Sequence, residues 1–204
     1  MSIERVIVHE SIAGEFKQKL LARVGSITCG NHMLEKGISI SGLFTPASAT
    51  RVLSLTKSAV DAGATLLLGD LQIGGPNRTI IRPHILEGVT RDMRLYHEES
   101  FGPVMVLIEF TDDEEAVNLA NDSEFSLCAS IFSRDIMRAM ELAKEVRAGS
   151  CHINGPTVYI EATLPNGGVG GSSGYGRFGG IAGVEEFTER KIISLAQSGL
   201  KYAF

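Results

Sequence analysis

The chain has 204 residues, 44% of them apolar, and carries a formal charge of −5 with no basic cluster. That is enough chain for one sizeable domain with a packed core, and the acidic balance argues against nucleic acid and anionic membranes as partners. No apolar run approaches the roughly 20 residues that cross a bilayer, the first residues lack a signal-peptide pattern, and three cysteines at no metal-like spacing suggest a reducing, cytoplasmic setting.

Residues 3–9 alternate apolar and polar positions and read as a strand. Ser11 then caps a helix over 12–24, with Phe16, Leu20, Leu21 and Val24 on one face. The stretch 26–45 holds Gly30, Gly37 and Gly42 and no firm period, which predicts a long loop. Pro46 opens a second helix over 47–62, ended by Gly63. A buried strand at 64–68, a turn-rich hairpin region at 69–78 and an extended strand over 79–85 follow. Pro83 inside that last strand predicts an edge position.

The segment His97-Glu98-Glu99-Ser100-Phe101-Gly102-Pro103-Val104 places an imidazole, two carboxylates and an aromatic ring ahead of a buried strand, 104–110. Thr111-Asp112-Asp113-Glu114 is a capping box for a helix reaching about 121. Strands at 128–132 and 149–154 flank an amphipathic helix, 135–146. A glycine-rich loop spans 155–183, then a helical turn at 184–187, a strand at 191–195 and a tail. Strands alternating with helices predict an α/β fold with a largely parallel sheet flanked by helices. One domain is expected over 1–195. The tail 196–204, through Leu200 and Phe204, is a candidate oligomer contact.

Several residues carry candidate chemistry. Adjacent acids can raise one another's pKa, which makes Glu99, beside His97, a candidate general acid or base. Tyr159 can give a proton to a carbonyl oxygen, and Asn154 and Asn166 can hydrogen-bond an oxyanion. Thr157 and Glu161 share that loop as candidate substrate contacts, and Arg177 can hold a carboxylate bidentately or brace the loop. Gly174 to Gly179 spells a dinucleotide fingerprint but does not follow a strand into a helix, so it is not taken as a phosphate site. No metal-ligand set stands out.

These residues resemble a family. Glu98-Glu99-Ser100-Phe101-Gly102-Pro103-Val104 resembles the Glu-Glu-x-Phe-Gly-Pro-Val signature of the aldehyde dehydrogenase superfamily. Asp61-Ala62-Gly63-Ala64, Asn118 to Asp122, Ile153 to Thr157, Leu164-Pro165-x-Gly167-Gly168, Ser173 to Arg177 and Glu185 to Lys191 match in order. Asn154-Gly155-Pro156-Thr157 is most similar to members acting on aromatic aldehydes. The resemblance implies that Glu99 binds the nicotinamide ribose and that Phe101 is the ring beneath it. It also places the nucleophilic thiol, the general-base Glu, the oxyanion Asn and the NAD-binding sheet upstream of the part this chain matches. Two positions depart from the pattern: Asn166 stands where an aromatic wall of the aldehyde tunnel is usual, and Ser126 where Gly is usual.

Three readings stay open on the sequence. The chain is an enzyme that reuses the aldehyde pocket for cofactor-independent, non-redox chemistry on an aromatic or polyketide-like carbonyl compound. Alternatively it is the catalytic-domain piece of an NAD(P)-dependent aldehyde dehydrogenase, and then NAD(P) enters only with the upstream part. The third reading is a non-catalytic, oligomerising partner. No cofactor is expected for the chain alone, and a homodimer or higher oligomer is expected under all three.

Overall fold

The structure, a computed structural model, describes residues 3–199 and 201. Strand β1 (Arg5–His9) leads directly into helix α1 (Glu10–Gly25). The helix starts earlier than expected, because His9 rather than Ser11 caps it: the His9 ring accepts the Ser11 N–H at 3.1 Å. After the 26–45 loop, α2 (Pro46–Asp61) has Thr45 as its cap and Pro46 in its first turn. Its buried face, Ala49, Val52, Leu55, Thr56 and Ala59, recurs at helical spacing.

Strand β2 (Thr65–Leu68) precedes a short hairpin, β3 (Ile73–Gly74) with β4 (Ile80–Ile81). Next come β5 (His84–Glu87), the single-turn α3 (Arg94–His97) and β6 (Val104–Phe110). The main sheet has the order β1-β6-β5-β2. β1 and β5 both run parallel to β6, while β2 is antiparallel to β5 with a register shift between Leu66 and Leu68. The sheet is therefore mixed.

The edge position expected from Pro83 is corrected: β5 lies inside the sheet. The ladder begins one residue after the proline, where His84 donates its N–H to the Pro103 carbonyl at 2.8 Å. Pro83 thus removes no donor from the sheet. The core forms where α2 meets this sheet, around Val52, Leu55, Leu86, Val104 and Val106. Truncating a fully buried residue such as Leu55 to Ala costs about 2–5 kcal/mol.

Helix α4 (Asp113–Asn121) starts from Asp112, whose carboxylate accepts the Glu115 N–H at 2.9 Å, while Glu115 reaches back to Thr111. Strand β7 (Cys128–Ile131), helix α5 (Ile136–Glu145) and strand β8 (Ser150–Ile153) form a unit in which β7 and β8 pair in parallel, apart from the main sheet. The 155–183 loop carries one short 3₁₀ turn and a bridge between Asn166 and Phe178. Helix α6 (Gly180–Glu186) begins four residues before the turn expected at 184–187.

The strand expected at 191–195 does not form. Ile192, Ile193 and Leu195 are exposed, and no described strand pairs with them. Strand propensity becomes structure only with a hydrogen-bonded neighbour. Leu200 and Phe204, named above as oligomer contacts, lie outside the described residues. No helix among the described residues is long and apolar enough to cross a membrane.

Candidate functional site: the acid and ring before β6

The chain turns from α3 into β6 through Glu98 to Pro103. Ser100 is buried there, and Phe101 stands out exposed at φ +51°. A bulky residue with positive φ costs about 1–2 kcal/mol unless its surroundings impose it. Glu4, just before β1, imposes it here. Its carboxylate accepts the Ser100 N–H at 2.8 Å, the Ser100 hydroxyl at 3.0 Å and the Phe101 N–H at 2.9 Å. From the other side, Arg51 on α2 donates to the Glu99 carbonyl at 3.2 Å and to the Ser100 carbonyl at 2.6 Å. An anion thus holds the amides of the turn and a cation its carbonyls. The Ser100 hydroxyl also accepts the Gly102 N–H at 3.1 Å.

Glu99 rides on this braced turn. It is half-buried, and its carboxylate takes no hydrogen bond from any described residue. Burial, and then the Glu4 carboxylate, pushes its carboxyl above the usual range. A half-buried acceptor without a donor, beside an exposed ring, suits a ligand that brings hydroxyl groups and a flat apolar face.

The neighbouring groups do not join it. Glu98 forms a two-point ion pair with Arg94, at 2.8 and 3.1 Å, which holds its carboxyl below the usual range. The His97 ring meets the Arg91 carbonyl and lies edge-on to Tyr96. The cluster of His97, Glu98 and Glu99 expected from their adjacency is therefore dispersed among different partners.

The 154–178 loop holds the other candidates. Asn154 sits at φ +54°, and its side chain closes a two-point contact with Ser133, accepting from the backbone N–H and donating to the carbonyl, each at 2.9 Å. Tyr159 is exposed, with its ring 6.3 Å from that of His152. Thr157 is half-buried and Glu161 exposed; the Asn166 backbone pairs with Phe178 in both directions, at 2.7 and 3.0 Å. Arg177 braces the loop, donating to the carbonyls of Gly168, Tyr175 and Gly176. Among the described residues, no hydrogen bond joins Tyr159 to His97, Glu99, Asn154 or Asn166.

Ser126, one of the two departures, is buried and acts as a knot. Its hydroxyl donates to the Gly170 carbonyl and accepts the Val169 N–H, both at 3.0 Å, while its own N–H meets Ser173. Sequence reasoning missed Glu4 and Arg51. They lie 96 and 49 residues from Ser100, and no local pattern links them to it. Burial raises the thiols of Cys29, Cys128 and Cys151 above their ordinary range, which disfavours the thiolate at each. Among the described residues, no group of three or more His, Cys, Asp or Glu is placed to hold a metal.

The fold and turn define an α/β domain that presents an acid and a ring where a parallel strand begins. The chain belongs to the aldehyde dehydrogenase family, whose model matches residues 1–193. It is 45% identical over 202 residues to the vanillin dehydrogenase of Pseudomonas fluorescens and 40% identical over 204 residues to the salicylaldehyde dehydrogenase of Pseudomonas putida. It covers 99% and 100% of itself in these matches but only 40% and 41% of those relatives, about two fifths of their length. Among solved structures, it is similar to the Pseudomonas putida G7 salicylaldehyde dehydrogenase in complex with salicylaldehyde. That match has a TM-score of 0.89 at 37% identity, over 98% of this chain and 40% of that one.

Proposed function

We propose that the chain is the catalytic-domain portion of an NAD(P)-dependent dehydrogenase of aromatic aldehydes, completed by sequence equivalent to the remainder of its relatives. The observation that carries this reading is the Glu99–Phe101 turn. An acceptor with no donor of its own and an exposed ring are held in place by Glu4 and Arg51. In this reading Glu99 accepts hydrogen bonds from a ribose hydroxyl, and Phe101 supplies an apolar surface beside it. The dinucleotide, when bound, supplies the hydride acceptor. The thiol comes from the completing sequence, in keeping with the raised thiols of the described cysteines. Val158, Tyr159, Ile160 and Leu164 offer exposed apolar surface suited to an aromatic substrate.

A cofactor-independent carbonyl reaction would need Tyr159, Asn154 and Asn166 to converge on one oxygen. The engagement of Asn154 with Ser133 favours the dehydrogenase reading instead. Phe132, Met137, Phe187, Ile192 and Leu195 are large apolar side chains left exposed, which supports association into a homodimer or higher oligomer.

The test is a chimera in which this chain replaces the matched 40% of the Pseudomonas fluorescens vanillin dehydrogenase. Aldehyde-dependent NADH formation is expected. A folded chimera that neither binds NADH nor oxidises vanillin or salicylaldehyde overturns the reading. Conversion of a carbonyl substrate by the chain alone, without NAD(P), selects the non-redox alternative.

A further inference from the structure

We infer that Glu4 is a positioning residue for the cofactor: it sets the Ser100–Phe101 turn and thereby places Glu99 and Phe101 for the nicotinamide ribose. The inference rests on the reading above that this turn meets a nicotinamide ribose.

The geometry carries it. One carboxylate accepts three donors from two consecutive residues, with Oε2 on the Ser100 N–H and Oε1 on both the Ser100 hydroxyl and the Phe101 N–H. Two successive amides pointing at one anion form a concave backbone site, and here the protein fills it with its own side chain. Without Glu4, the N–H of buried Ser100 loses its acceptor, and Phe101 loses a contact that holds it at positive φ. The ring and the Glu99 carboxylate are attached to these same peptide units, so their placement follows the turn. Glu4 also precedes β1, which pairs with β6 through Arg5↔Val106. Its backbone is anchored there too, since Val106 donates its N–H to the Glu4 carbonyl at 2.8 Å. The carboxylate is thus delivered by the sheet rather than by a free terminus.

The variants Glu4→Ala and Glu4→Gln separate the possibilities. Gln keeps one acceptor oxygen for the Oε1 contacts but turns a donor toward the Ser100 N–H, so it should rescue in part. In the chain itself, amide hydrogen exchange at Ser100 and Phe101 should speed up about tenfold or more in Glu4→Ala, with an intermediate effect in Glu4→Gln. In the chimera, the dissociation constant for NADH and the KM for NAD should rise about tenfold, with the KM for vanillin within twofold of the parent. Exchange unchanged at both amides overturns the inference. Faster exchange with unchanged NADH affinity also overturns it, because the contact is then structural only. A parent chimera that binds no NADH overturns the functional reading, and this inference with it. Circular dichroism of each variant identifies loss of fold, and if Glu4→Ala unfolds, Glu4→Gln alone decides between these outcomes.

Discussion

The ring of His84 accepts the backbone N–H of Leu71 at 3.0 Å and donates from Nδ1 to the Arg82 carbonyl at 2.7 Å. Taking an N–H on Nε2 requires the neutral ring with its proton on Nδ1. His84 is 1% exposed, and burial lowers its pKa. The ring packs so close to Gly69 that a Cβ there would lie 2.3 Å from it, at a φ of +130°. A buried histidine in β5 thus ties the hairpin region to the sheet.

Because the folded-state pKa of His84 is depressed, its contribution is present above the unfolded value of about 6.5 and is lost as pH falls through the folded pKa. Denaturant titrations of the chain should show stability falling below that pH. His84→Gln should flatten this slope, and His84→Ala should cost about 3 kcal/mol at neutral pH.

Gly102 lies where any side chain would collide with α2. A Cβ there would be 2.7 Å from one methyl of Val52 and 2.9 Å from the other. Val52 is buried and branched, so it cannot move aside. Gly102→Ala should destabilise by about 1–3 kcal/mol. Adding Val52→Ala should recover part of that loss, and a double-mutant cycle of urea unfolding measures the coupling.

Asn154→Ala should lower stability by about 1–2 kcal/mol, because it removes both contacts to Ser133 and keeps a Cβ at positive φ. Asn154→Gly loses the same contacts but relieves the backbone, so it should cost less. Thermal melts of the two variants check the order. Equal melting temperatures for both variants and the parent would contradict a structural role for this amide.

Glu99 carries a raised folded-state pKa. Its contribution is therefore full below the unfolded value of 4.5 and lost as pH rises through the folded one. Glu99→Gln should be more stable than the parent at pH 7, because the amide removes a charge that burial and the Glu4 carboxylate disfavour. The gain should vanish below pH 4.5. The same variant in the chimera should bind NADH more weakly. Opposite effects on stability and on cofactor affinity would mark a residue kept for ligand binding.

Much of the fold is legible locally. Pro46 at the start of α2 and the run Val104–Phe110 each state their element within a few residues, while the capping box read at Thr111–Glu114 falls one residue later, with Asp112 as the cap and Glu115 reaching back. Local signals also mislead where the outcome depends on a neighbour. Pro83 suggests an edge, but the ladder starts after it, and Ile192, Ile193 and Leu195 suggest a strand that nothing described pairs with. The site divides the same way. Glu99 and Phe101 stand out by spelling, whereas the engagement of Asn154 with Ser133, 21 residues away, has no signature in the chain.

The amino-acid sequence by itself determined the family, because ordered motifs from Asp61 to Lys191 survive without reference to three dimensions. It also determined which residues before β6 carry an acid and a ring. Only the tertiary structure decided how those residues are held. The Glu4 carboxylate and the Arg51 guanidinium reach the turn from the residue before β1 and from α2, across 96 and 49 residues. Hydrogen bonds that hold a strained turn are set by sheet register and helix packing, which no run of neighbouring residues encodes.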